Sequence, residues 1–232
     1  MPRETLETSR LADDTRSTRF RILMFASLYV VQGVGLAYFR NFQKPYLDEL
    51  GIHPDSIGLL TLILQLPFVF KVFIGMVSDR VNLLGHGHRK PYIIIGLLLA
   101  ALTFTAAGLV QPNTHLMTFS FFVVLGSFSV TLFDSTADGL AIDVTPQHEA
   151  GKIQGVMVGG RAAAFILLSL AFGQLVKRVG YPIVFPVIGV AMLIPLIFVG
   201  PFREPPKREV TNRFQWRAFR ALGGSPVSTV MG

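Results

Sequence analysis

The feature that most constrains this chain is a series of six continuously apolar stretches, at 22–39, 57–78, 92–110, 116–142, 153–176 and 182–202, separated by short polar turns. Each is about as long as the roughly 20 residues that a helix needs to cross a bilayer. Lipid offers no partner to a backbone N–H or C=O, so only helices and closed barrels span it. These stretches are apolar continuously rather than at alternate positions, which favours helices over barrel strands. Charged residues make up 15% of the 232 residues, against about 25% in soluble domains. The expected fold class is an all-α membrane protein with six transmembrane helices. The sequence divides into a polar tail over 1–21, a helical bundle over 22–202 and a basic tail over 203–232.

The net charge of +7 would point to nucleic acid in a soluble protein. Here the basic residues lie beside apolar segments, so they orient the chain in a lipid bilayer and no nucleic-acid partner is expected. One side receives Arg3, Arg10, Arg16, Arg19 and Arg21, then Arg80, Arg89 and Lys90, then Lys152, then Arg203, Lys207, Arg208, Arg213, Arg217 and Arg220. The other side receives Lys177 and Arg178, with Lys44 at the edge of the first helix. By the positive-inside rule both termini are expected in the cytoplasm, and the setting is a multi-pass protein of a bacterial inner membrane. No removable signal peptide is evident at the N-terminus. There are no cysteines, which excludes disulfides and thiolate metal sites. No cofactor or metal is expected.

Charges within apolar stretches are costly and are functional candidates by default. Arg40, Lys71, Asp134, Asp138 and Arg161 are the residues concerned. At about 1.5 Å per residue, Lys71, Asp134 and Arg161 all fall roughly 5–8 Å to one side of the midplane, although they belong to three helices. Asp138 shares a face with Asp134, four residues away. Asp143, nine residues from Asp134, points to the opposite face. One reading is a cavity in which the aspartates bind protons or cations while Lys71 and Arg161 pair with them or hold an anionic solute. The other is a buried ion-pair network that only joins helices. Arg40 either lines the same cavity or snorkels to the interface.

Helices three and six are uncharged, whereas one, two, four and five each carry a charge, so the sequence reads as a three-helix unit repeated, with its third member toward lipid. Gly155 and Gly159 form a G-x-x-x-G whose small face suits close helix packing. Pro67, Pro186 and Pro195 predict kinks. His86 and His88 lie together in the loop after helix two and read as solvated rather than as a metal pair.

Gly75-Met-Val-Ser-Asp79-Arg80, followed by Arg89-Lys90, resembles the loop between helices two and three of the major facilitator superfamily. The basic pair comes later than in the common form. That longer loop, with Tyr29-Val-Val-Gln-Gly33, Leu66-Pro67-Phe-Val-Phe-Lys71, Asp134-x-x-x-Asp138-Gly-Leu and Gly160-Arg161, is similar to a branch that holds the AmpG muropeptide permease, acetyl-coenzyme A transporters, folate-biopterin transporters and PucC proteins. The resemblance implies one six-helix half of a major facilitator fold, built of two three-helix repeats. It also implies a gating role for Asp79, with Gly75, Arg80, Arg89 and Lys90 around it. Family members have two such halves, so the expected partner is a second six-helix half: a missing C-terminal portion, a separate chain or another copy.

The function expected is secondary transport of a small organic solute by alternating access, with proton-coupled symport as one form. The alternative is a non-transporting assembly factor of the PucC type that handles pigment. No G-x-x-x-x-G-K-[ST], G-x-S-x-G or H-E-x-x-H occurs, so neither ATP-driven transport by this chain alone nor an enzyme is expected.

Overall fold

The computed structural model describes residues 17–81, 83 and 88–204. Among them, six helices are long and apolar enough to cross a membrane: α1 Thr18–Glu49, α2 Pro54–Arg80, α3 Lys90–Gly108, α4 Pro112–Val144, α5 Gln147–Val179 and α6 Tyr181–Val199. Each expected stretch lies within or largely overlaps one of them, and the helices extend into the flanking polar sequence. Ser17 caps α1 by accepting a hydrogen bond from the Phe20 amide, one of the donors a helix start leaves unpaired. Glycines carry two of the turns opposite the chain's start. Gly51 and Gly180 have φ of 71° and 93°, a region that a side chain disfavours.

The helices pack as two related sets. α1 lies against α5 and α6, α4 lies against α2 and α3, and α3 also meets α6. Exchanging one for four, two for five and three for six maps this pattern onto itself, as a pair of three-helix units requires. The far half of the bundle has an aromatic core, in which Tyr38 packs on Phe104 and Phe185 while Phe119 meets Tyr46 and Phe185. Around this core α1 widens into a π-helical turn, Tyr38–Phe42. Such insertions re-aim side chains: Tyr38, Phe39 and Phe42 are buried while Arg40 is exposed.

Within the described residues α2 and α5 are the least buried helices, and α3 is largely covered by α4 and α6. α3 is drawn in where Gly96 and Gly108 let Phe133 and Phe185 approach. Gly155 and Gly159 do not pack within this chain: a Cβ at either would meet nothing within 4 Å. The close approach of α5 to α1 occurs instead at Gly33, where a Cβ would lie 2.9 Å from that of Ala164. The prolines also differ in effect. Pro186 sits in the first turn of the helix Val184–Leu193 and breaks nothing, whereas the α-helical run resumes after Pro195, at Leu196–Val199. A proline in a first turn lacks only an N–H that would be unpaired anyway.

Candidate functional site

The charges in the apolar stretches converge. α2 leaves helical geometry at Phe70, three residues beyond Pro67, and restarts as Lys71–Arg80. Pro67 has no N–H for the carbonyl one turn back. Two serines of α4 tie the two parts of α2 down: Ser127 Oγ donates to the Leu64 carbonyl at 2.8 Å and Ser135 Oγ donates to the Lys71 carbonyl at 2.8 Å. Gly75 permits this approach, since a Cβ there would lie 3.1 Å from Ser135 Oγ.

Held by its own carbonyl, Lys71 reaches α4 with its ammonium group, 2.6 Å from Asp134 Oδ2 and 2.5 Å from Asp138 Oδ2. Asp134 is 2% exposed, so its carboxylate has lost nearly all its water and depends on the lysine. The i, i+4 spacing puts both carboxylates on one face, as one cation needs to meet both.

Beside the triad is a cavity of about 420 Å³ lined by Gln32, Leu36 and Arg40 of α1, Phe68 and Lys71 of α2, Asp134 of α4 and Arg161, Ala162 and Phe165 of α5. Arg161 lies with its guanidinium carbon 6.0 Å from the Tyr29 ring centre. Arg40, although exposed, is among the residues that line the cavity. Four of the five intramembrane charges thus line one cavity wall, and the fifth, Asp138, is joined to it through Lys71. Gln32 was missed among the site residues although it lies in the Tyr29–Gly33 motif. A neutral amide in an apolar helix carries no charge signal.

A second network closes the end of the bundle where α1 starts. Arg89, buried at the start of α3, places Nη2 2.6 Å from Asp79 Oδ1 of α2 and Nε 2.7 Å from Asp143 Oδ2 of α4. Gly139 makes room for it, because a Cβ there would overlap the guanidinium. Arg89 is thus one of the basic residues expected around Asp79 and is ion-paired to it. Arg80 is exposed, and Lys90 turns to α6, donating from Nζ to the Gly200 and Phe202 carbonyls. The Glu204 carboxylate accepts the amides of His88, Arg89 and Lys90 at 3.0–3.2 Å. A carboxylate at a helix start and an ammonium at a helix end both complement the helix dipole. Arg21, assigned to the tail, lies inside α1 and pairs with Glu149 at 2.6 Å, as Thr18 also does at 2.5 Å. His86 and all of the basic tail beyond Glu204 lie outside the described residues.

Six antiparallel membrane helices in two three-helix sets, with a charged cavity on one side, are the architecture of a half of the major facilitator fold. A family model described as the BT1 family matches residues 32–225, and the chain belongs to that family. It is similar to a folate-biopterin transporter of Synechocystis, 28% identical over 87% of this chain and 42% of that protein. A probable folate-biopterin transporter of Arabidopsis thaliana is 27% identical over 68% of this chain and 36% of its own length. A putative AmpG transporter of Rickettsia conorii is 26% identical over 80% and 46%. These names fall within the branch that the motifs resemble. The chain spans less than half the length of each of these relatives.

Proposed function

We propose that this chain supplies one wall of a secondary active transporter that moves a small organic solute across a bacterial inner membrane by alternating access, both termini being cytoplasmic. The observation that carries the reading is the Lys71–Asp134–Asp138 triad beside an open cavity. A strut between helices would be expected away from a solute-sized space, and charges at this depth usually mark a pathway. Asp134 and Asp138 are the candidate proton acceptors, and Lys71, Arg161 and Arg40 face the solute. Asp79, Arg89 and Asp143, framed by Gly75, Arg80 and Lys90, form the cytoplasmic gate, whose charge-assisted contacts break as helices rock apart. The second six-helix half completes the path against the exposed faces of α2 and α5, including Gly155 and Gly159.

The test is uptake into proteoliposomes by the chain alone and with a co-expressed second half, under an imposed proton gradient. The relatives' names make folate and biopterin the first solutes to try. Saturable uptake that falls more than tenfold in Lys71→Met and Asp134→Asn is expected. Absence of flux together with pigment binding would favour the assembly reading, and undiminished proton-coupled uptake in Asp134→Asn would remove that residue from the coupling site.

A further inference from the structure

We infer that the second half facing this chain is another copy of it, with α5 of each copy packed on α2 of the other about a two-fold axis normal to the membrane. This rests on the transport reading for the need of a second half, and the contact itself can be measured without transport.

The four helices that line the cavity pack in the order α2, α4, α1, α5, so α2 and α5 stand at its two edges. They are also the two least buried spans. A two-fold axis facing the cavity brings each edge of one copy to the opposite edge of the other, which closes an isologous interface. α2 begins and α5 ends at the rim away from Ser17, so the two helices meet antiparallel.

At about 100° per residue, Asp55, Leu59, Leu62, Leu66 and Phe73 fall along one side of α2, and all five are exposed. Gly159, Ile166, Leu170, Gly173 and Lys177 fall in the same way along one side of α5. Lys177 set opposite Asp55 of the other copy fixes the register of the rest. Gly173 then meets Leu59, Leu170 meets Leu62, Ile166 meets Leu66 and Gly159 meets Phe73. A Cβ at Gly159 or Gly173 would meet nothing within 4 Å in this chain, so each leaves a hollow for the larger side chain opposite. In lipid, such fitted packing is what holds helices together.

The charges select the same register. Lys177 and Arg178 stand at the rim that the positive-inside rule leaves poor in cations. Both are exposed, and neither has a carboxylate within ion-pair distance among the described residues. The helix dipole does not account for them, because α1, α3 and α4 end without a basic residue in the last turn. The Asp55 side chain is 93% exposed, with only His53 beside it at 3.4 Å. At the other rim the register sets Lys152 against Arg80, both exposed. Two copies therefore attract at the rim away from Ser17 and repel at the rim beside it, and they part more easily at the second.

The chain has no cysteine, so introduced cysteines report the contact directly. Gly173→Cys and Leu59→Cys, carried by two differently tagged copies in one membrane, should cross-link on mild oxidation at least about tenfold more than either does with Val190→Cys on the exposed face of α6. Gly173→Cys alone should not link to itself, since the axis puts the two α5 helices on opposite sides of the cavity. Lys177→Asp should weaken dimerisation at least about threefold, the axis breaking the contact twice, and adding Asp55→Lys should restore it. Gly159→Leu should abolish the dimer while leaving the melting temperature of the monomer unchanged. Equal cross-linking of Gly173→Cys to Leu59→Cys and to Val190→Cys would overturn the proposal, as would a double charge variant no better than the single. So would a chain that stays monomeric until a different six-helix partner is co-expressed, which would assign the two faces to that partner. A dimer with the expected contacts but no uptake would leave the interface standing and sink the transport reading.

Discussion

Lys71→Met tests whether the triad is formed as described. The substitution keeps the length of the side chain and removes the charge that two carboxylates share. Breaking a buried pair costs about 3–5 kcal/mol when one partner is left uncompensated. The lower end applies here, because the Lys71 side chain is 31% exposed and that of Asp138 is 38% exposed, whereas Asp134 is 2% exposed. The exposed contact to Asp138 adds at most about 1 kcal/mol, so the loss should be about 3 kcal/mol. For a chain of this size that is a fall of roughly 6–12 °C in the melting temperature of the detergent-solubilised protein, followed by circular dichroism. Asp134→Asn should cost less, since Lys71 retains Asp138. The double variant has neither the buried carboxylate nor its ammonium partner and should recover at least about 1.5 kcal/mol relative to the sum of the singles. Additive losses would show that the two groups do not meet, and the cavity chemistry would have to be assigned again.

Further substitutions probe the packing and the end of the bundle where α1 starts. Glu204→Gln and Lys90→Met should each lower stability by about 1–2 kcal/mol through lost charge-assisted hydrogen bonds, and less than additively together because both fasten α3 to α6; thermal melts read this directly. Gly139→Ala should destabilise although alanine is the better helix former by about 1 kcal/mol, because the new methyl displaces Arg89, and it should add little to an Arg89→Gln variant. Gly33→Ala should cost about 1–3 kcal/mol by overpacking α1 on α5, while Gly155→Ala should be neutral or stabilising in the isolated chain, and the opposite order of melting temperatures would reverse the helix contacts described.

The helices were legible because lipid removes alternatives: an apolar run of this length has few other solutions. Their ends were less so. Thr18 and Arg21 read as tail because both are polar, but Arg21 is paired across the bundle with Glu149, and a contact 128 residues away leaves no local trace. In the site, charge was the readable signal. Lys71, Asp134 and Arg161 could be placed in one layer by counting residues, and the α4 periodicity put Asp138 on the face of Asp134 and separated Asp143 from both. Gln32, Ser127, Ser135 and Glu204 were not recognised as partners, since neutral polar residues are tolerated in membrane helices and an acidic residue after the last helix has several uses. Gly155 and Gly159 left their partner open, because small residues mark a close approach without saying to what.

One consequence of the break in α2 joins the two networks. The ten-residue segment Lys71–Arg80 begins with the residue that holds Asp134 and Asp138, and it carries Asp79, which holds Arg89, near its end. These anchors are eight residues apart, about 12 Å along the axis, a separation at which substitutions normally add. Here both contacts fix the same short segment, and Phe70 leaves it free of continuous helix on the other side. Asp79→Asn and Asp134→Asn should therefore be coupled: loss of one anchor lets the segment shift and weakens the other. A cycle measured by thermal unfolding should show at least about 1 kcal/mol of interaction, whereas additivity within about 0.5 kcal/mol would mean that the two ends of the segment are held independently.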